Sequence, residues 1–521
     1  MTAVTLRGGS VADGSGREPV RMDVSFDQNG VIAMGVDIPV IGDLVDVNER
    51  MVLPGFIDTH LHAMPLLGEA RELVEAALLS QGVTSVILGS DGIGPCPGGT
   101  PALSYANDYF GGIDGPSPRS FDDVRTVQEL LCAVDGASRI NVGYLVPAGT
   151  VRQVVMPNDP APADASAVDS MMDLVTQGLE QGALGLASGL EYVPGAWAST
   201  AELVAMCRPV GEAGAVHASH MRGYENAAGD AIDELTIIGS RTGARSHVAH
   251  LRAPARVAAA ALDRADELGE VVTFDSYPYS VGATLLAMRA IPRGLQVPDP
   301  DRMIELLLDR DIAMDLRRHW ADRIEELGAY VVAHSGMSIL GDLDGLTLRA
   351  VADRMSVPFE VAVGELLVAS RLTVSCLVPP GSGASGEADF LQLMDDRRHM
   401  GCSDGIFLGG APHPRGWGAF ARMLSLQLGR PGGWSWGDAA WHLSGHAAQR
   451  FGIALRGRLC RGAVADVVVL DPSVLRDNAS YPEPRRHASG VDRVYVAGIE
   501  VFRHGALVGA AAGRALRRAG A

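Results

Sequence analysis

The 521-residue chain predicts an α/β protein, a (β/α)8 TIM barrel carrying a small β-sandwich built from both termini. Three observations point there. The middle of the chain alternates short apolar runs with helical stretches, the pattern of parallel α/β folds. Eight of the runs read as strands, the number that closes such a barrel. Polar residues of metal-ligand type recur at the ends of those runs, where a barrel carries its chemistry.

Residues 1–52 read as short strands at 4–6, 23–26 and 31–34, punctuated by Gly8-Gly9, Asp13-Gly14 and Asn29-Gly30. The far end has the same texture, with strands at 465–470 and 491–502 around turns at Asp471-Pro472 and Gly498. These two ends, 1–52 and 453–521, are the expected halves of the sandwich; 53–452 is the expected barrel. Its candidate strands end at Asp58, Gly89, Val146, Ser188, His220, His250, Tyr277 and Asp404. The interval from Tyr277 to Asp404 is too long for one helix. Residues 285–395 therefore read as an insertion, helical near 301–328 and 347–371 and rich in Gly, Ser and Pro at 379–386. At that place in a barrel an insertion lies over the mouth as a lid.

The most telling stretch is 51–64, MVLPGFIDTHLHAM, where an apolar run ends in Asp58-Thr59-His60-Leu61-His62. Strand side chains alternate faces, so His60 and His62 point the same way about 7 Å apart. Two imidazoles from one strand end suit Zn, Cu, Fe or Ni. Asp91, His220, His250 and Asp404 stand at other strand ends, and six such residues in that one setting point to a metal site. His217 and His247 each precede a candidate ligand by three residues, and alternation turns them to the opposite face. They, with His319, His334, His442 and His446, read as structural.

Composition bounds the rest. Hydrophobic residues make up 47% and charged residues 20%, as in an ordinary globular protein. A net charge of −19 argues against nucleic-acid or anionic-membrane partners and leaves room for a local pocket that takes a small anionic substrate. No lysine occurs, so a carboxylated lysine bridging two metals is excluded. Six cysteines without CxxC spacing suggest a reducing cytoplasm. Neither a signal peptide nor a membrane-length apolar run is seen.

An ordered series of motifs runs through nearly the whole chain: PGFIDTHLH, GVTSVILGSDG, NVGYLVPAGTVR, GALGLASGLEYVPGAWAS, HASHMRGYEN, HVAHLRAP, DSYPYSVGAT, GCSDG, PHPRGWGAFARML and GRLCRGAVADVVVLDP. The series resembles the metal-dependent amidohydrolases, and within them the N-acyl-D-amino-acid deacylases (D-aminoacylases). The resemblance implies a TIM barrel with a small β-sandwich and zinc-dependent hydrolysis of an N-acyl amide, with D-stereospecificity. It implies that His220 and His250 are the tight-site zinc histidines and that His60 and His62 form a weaker second site. Asp404 then matches the catalytic aspartate, also a metal neighbour.

Two departures stand out. Where many deacylases have Asn-Cys-Gly after the second strand, this chain has Ser90-Asp91-Gly92; Asp91 is a candidate oxygen ligand, with Cys96 the alternative. After His62, where the family commonly has an acidic residue, stand Ala63-Met64, which bears on whether one metal or two are held. In the implied chemistry a metal lowers the pKa of water from 15.7 towards about 7 and polarises the carbonyl, while Asp404 takes the proton and returns it to the leaving amine. The substrate carboxylate calls for arginine, with Arg252 the first candidate and Arg415 the second; Tyr192 and Tyr277 are candidate hydroxyl donors. Other expectations stay open: a relative acting on another linear or cyclic amide or a dipeptide, and a barrel that has lost catalysis.

Overall fold

The computed structural model describes residues 3–336, 342–381 and 384–518. The amino-terminal strands are β1 (Val4–Val11), β2 (Val20–Asp27), β3 (Gly30–Gly35), β4 (Asp43–Asp46) and β5 (Met51–Pro54). Alternating apolar residues of β1 and β2, Leu6, Val24 and Phe26 among them, pack on one inner face.

The chain then enters the barrel through β6 (Phe56–Asp58) and the short β7 (Leu61–His62). There follow β8 (Val83–Leu88), β9 (Asn141–Pro147), β10 (Gly185–Gly189), β11 (Val216–His220), β12 (Arg245–Val248) and β13 (Thr273–Ser276). Next come β14 (Gly282–Leu285), β15 (Val331–His334) and β16 (Ser375–Val378), and then β17 (His399–Gly401) and β18 (Gly405–Ile406). The order β6-β8-β9-β10-β11-β12-β13-β17 is parallel at every pairing, as a barrel requires. Its seam closes above the strand ends: β18 pairs in parallel with β7, and Asp404 N donates to His60 O at 2.9 Å. Two candidate site residues are thus stitched together by backbone.

Inside the barrel, Ile57, Ile87, Leu145, Ala187, Val216 and Met400 share a core. The helices pack outside, and the helix Glu387–Met394 contributes Phe390, Leu393 and Met394 to that outer core. Strands β14, β15 and β16 form a separate antiparallel sheet, order β14-β16-β15. With helices including Arg310–Asp322 and Phe359–Ala369 it encloses its own core around Trp320, Leu327, Leu366 and Cys376. The helical stretch read at 301–328 is three helices, Pro300–Leu308, Arg310–Asp322 and Ile324–Leu327. Of the Gly/Ser/Pro-rich stretch at 379–386, residues 382–383 lie outside the described residues.

The carboxyl-terminal strands β19 (Val467–Leu470), β20 (Val491–Val496), β21 (Ile499–Arg503) and β22 (Ala506–Leu507) return to the start of the chain. Strand β19 pairs antiparallel with β5, Val467 opposite Pro54, so both ends make one nine-stranded sheet. Among the described residues no helix is long and apolar enough to cross a membrane.

Candidate metal centre and active site

Four imidazoles and two carboxylates converge where the barrel seam closes. His60 Nε2 lies 3.2 Å from His62 Nε2, and His220 Nδ1 lies 3.0 Å from His250 Nε2. Asp91 stands between the two pairs. Its Oδ1 is 3.4 Å from His60 Nε2, 3.4 Å from His220 Nδ1 and 3.5 Å from His250 Nε2, while Oδ2 is 3.5 Å from His62 Nε2. Asp404 Oδ1 approaches His62 Nε2 at 3.3 Å and His60 Nε2 at 3.8 Å. Two overlapping groups offer converging ligand atoms: His60, His62 and Asp404; and His60, Asp91 and His250.

These residues fit zinc. Nitrogen and oxygen ligands at about 2.0–2.1 Å in a tetrahedron stand roughly 3.3 Å from one another, close to the spacings seen. Asp91 Oδ1 is buried without a hydrogen-bond partner although three ring nitrogens face it. A buried carboxylate oxygen left so is costly, and a cation among those nitrogens satisfies it.

Local backbone explains the convergence. Strand β12 stops at Val248 and β17 at Gly401, so His250 and Asp404 stand in turns beyond the strands and not on them. Both, like Asp91, adopt left-handed φ, +36°, +47° and +56° respectively. Such backbone is uncommon outside glycine and concentrates at functional sites. A Cβ on Gly189 would stand 1.9 Å from Asp91 O, so glycine is what lets the Asp91 turn settle on β10.

The turn after Val248 also corrects the expectation for His247. That residue is in register with Ala218, whose side chain lies in the barrel core, so it too points inward. Its Nε2 donates to Asp275 Oδ2 at 2.9 Å, and Asp275 Oδ1 accepts the His250 backbone N–H at 2.5 Å. Alternation fails as a guide here because the strand ends before His250. His217 is buried away from the cluster and bonds Ser188 Oγ at 2.8 Å.

Cys96 is buried in the outer apolar core, its carbonyl accepting from Tyr144, and burial pushes its thiol up to about 12. It belongs to neither ligand group. The structure brings Asp91, not Cys96, to the histidines.

Carboxylates and imidazoles at the centre shift one another's protonation. Burial works against a carboxylate at Asp404, but Arg415, His62 and the other imidazoles hold its carboxyl well below the ordinary value. His62 is likewise opposed by burial, yet Asp114 and Asp404 carry it up to about 10. His220 rises to about 9 against burial, through Asp91 and Glu191. Burial alone dominates at His60, which falls to about 3. The carboxylates thus favour a proton on His62 and His220, and a metal ion would answer the same demand for positive charge.

The cluster opens into a cavity of about 720 Å³ whose walls include Tyr192, Arg252, Tyr277 and Arg415, with Arg289, Arg293 and Arg323 from the inserted segment. Arg415 is 1% exposed, lies over the Tyr277 ring at 4.6 Å, and places Nη1 2.8 Å from Asp404 Oδ2. Its Nε is buried without a hydrogen-bond acceptor, while Nη1 is held in the ion pair with Asp404. Arg252 lies at the wall with Nε 3.3 Å from Glu225 Oε1 and Nη2 donating to Ser280 O. No protein hydrogen bond reaches the Tyr192 or Tyr277 hydroxyl among the described residues, and the Tyr192 ring packs on His220 at 4.6 Å.

Sequence reasoning missed four acidic residues here. Asp114 and Glu191 bond the far nitrogens of His62 and His220 at 2.6 and 3.2 Å; Asp275 supports His250; Glu225 supports Arg252. Glu191 stood beside Tyr192 in the motif GLEYVPG, but Asp114 ends a helix with no local signal.

Comparison with known proteins follows this geometry. The chain is 30% identical to the D-aminoacylase of Alcaligenes xylosoxydans xylosoxydans over 530 residues, spanning 99% of this chain and 98% of the relative. It belongs to the D-aminoacylase family of amidohydrolases. An N-acyl-D-glutamate deacylase of the same organism is also 30% identical, over 96% of this chain and 93% of the relative. Among solved structures, the N-acyl-D-glutamate deacylase of Bordetella bronchiseptica, complexed with zinc and a phosphonate mimic of the tetrahedral intermediate, superposes with a TM-score of 0.81 at 26% identity. That superposition covers 99% of both chains. No family model matches the sequence.

Proposed function

We propose that the protein is a zinc-dependent hydrolase that cleaves the amide of N-acyl-D-amino acids to a carboxylate and a D-amino acid. The observation that carries this is a ligand cluster and a buried arginine, its Nε without an acceptor, opening on one cavity. Family membership and the zinc-bound, phosphonate-complexed relative support it.

His60, His62, Asp91, His220 and His250, with Asp404 at the edge, would hold the metal. Its chemistry, when bound, is to polarise the scissile carbonyl and to lower the pKa of the attacking water. The chain's own residues do the rest. Asp404, kept ionised by Arg415 and the imidazoles, accepts the proton of that water and delivers it to the departing nitrogen. Arg415 offers Nε to the substrate carboxylate while Nη1 stays paired with Asp404, and Arg252 adds a second guanidinium at the wall. Tyr192 and Tyr277 supply hydroxyls to the remaining polar atoms. The ligand is accordingly a small anion.

An amine-release screen of matched N-acyl D- and L-amino acids with the zinc-loaded protein tests this. Turnover confined to the D-series is expected. Release from dipeptides or ring amides without release from any N-acyl-D-amino acid would replace the substrate assignment.

A further inference from the structure

Two carboxylates that are not among the metal-facing groups hold the far nitrogens of two of the imidazoles. Asp114 closes the helix Thr100–Asp114, and its Oδ1 accepts from His62 Nδ1 at 2.6 Å, with both side chains buried. A helix C-terminus is an unfavourable place for a carboxylate, since the macrodipole and burial both oppose the charge. The imidazole N–H offsets that cost. Glu191 follows β10; its Oε2 accepts from His220 Nε2 at 3.2 Å, and its Oε1 accepts from Arg293 of the inserted segment at 2.8 Å.

The two bonds run in opposite senses. His62 donates through Nδ1, which makes Nε2, facing Asp91 and Asp404 at 3.5 and 3.3 Å, the nitrogen free to hold a cation. His220 donates through Nε2, which leaves the lone pair on Nδ1, facing Asp91 and His250 at 3.4 and 3.0 Å. No carboxylate takes the far nitrogen of His60 or His250 among the described residues. A carboxylate on the outer N–H of a ligand imidazole selects the tautomer, orients the ring and raises its basicity.

We propose that Asp114 and Glu191 are positioning residues that hold His62 and His220 in opposite tautomers, aiming Nε2 of one and Nδ1 of the other at the shared centre. Through Arg293, the second of these also ties a metal-facing histidine to the inserted segment. The inference rests on the zinc site proposed above and concerns residues that act through the imidazoles they hold.

The test reads zinc affinity by chelator competition on the full chain, and the absorption spectrum of the cobalt-substituted protein, alongside the melting temperature. Asp114→Ala is expected to weaken zinc binding by about 10–100-fold, the usual range for removing such a partner. Asp114→Asn, whose amide oxygen still accepts from Nδ1–H, should recover most of it; Glu191→Gln should do the same relative to Glu191→Ala. In a His62→Ala background, Asp114→Ala should cost nothing further, because the ring it positions is gone. Arg293→Ala should shift the cobalt spectrum in the direction of Glu191→Ala. Wild-type zinc affinity and spectra in both alanine variants, or additive losses in the His62 cycle, would overturn the positioning roles. A wild-type chain that binds no zinc would instead overturn the proposed function.

Discussion

Asp404→Asn separates chemistry from binding at this site. The substitution keeps size and removes the basic oxygen, so turnover loses its proton carrier. General acid–base contributions run at about 10²–10⁴-fold, or roughly 3–5 kcal/mol of barrier. The structure adds a second cost. Asp404 Oδ2 is the 2.8 Å partner of Arg415 Nη1, and that guanidinium is 1% exposed. Removing one partner of a buried pair costs about 3–5 kcal/mol when the other is left uncompensated. Asparagine places its amide oxygen where Oδ2 was and retains part of the contact, so its stability loss should be smaller than that of Asp404→Ala. The assay measures kcat, KM, zinc content and melting temperature on the same preparation. A kcat at least 10²-fold lower is expected, with zinc retained and KM changed little. If Asp404→Asn keeps its zinc, melts near wild type and turns over within a few-fold of it, Asp404 is not the proton carrier.

Three further outcomes are expected. Asp91→Ala should lower zinc retention, because Oδ1 faces three ring nitrogens, whereas Cys96→Ser should leave metal and activity nearly intact; the reverse pattern would move the ligand role to Cys96. Arg252→Ala should mainly raise KM for carboxylate-bearing substrates, and an equal effect on a substrate amide lacking that carboxylate would refute the role. Folding stability should fall in mild acid, because burial pushes His217 and His442 each down to about 4. Unfolded imidazoles titrate near 6.5, so this stability is complete above that pH and is lost as pH drops from 6.5 to 4, at about 2 kcal/mol for each ring by pH 5. A thermal melt of His217→Gln at pH 7 and pH 5 checks it: the variant should lose less than wild type, and an identical loss would count against the neutral buried ring.

Much of this protein could be read along the chain. The barrel strands were visible because most lie in short runs buried between helices and barrel interior, β8 and β9 along their whole length, and burial on both faces leaves the same mark wherever the strand lies. His60, His62, His220 and His250 were visible for a related reason: parallel barrels put chemistry at strand ends, so polar residues closing apolar runs select themselves. Asp91 and Asp404 followed from the same rule. What the chain could not show was set by contacts between residues far apart in sequence. Asp114 reaches His62 across 52 positions and Glu191 reaches His220 across 29, each by the packing of whole elements. His250 reaches the same inner face as His247 because β12 ends before it and the chain turns there, a backbone choice that side-chain alternation does not record. Asp91 and Cys96 part company because a left-handed turn brings Asp91 beside the histidines while the cysteine sinks into the outer core. Hydrophobic periodicity is a local property and survives reading in one dimension. Tautomers, ion pairs and the direction of a turn depend on what the folded chain brings alongside, and only the tertiary structure decides them.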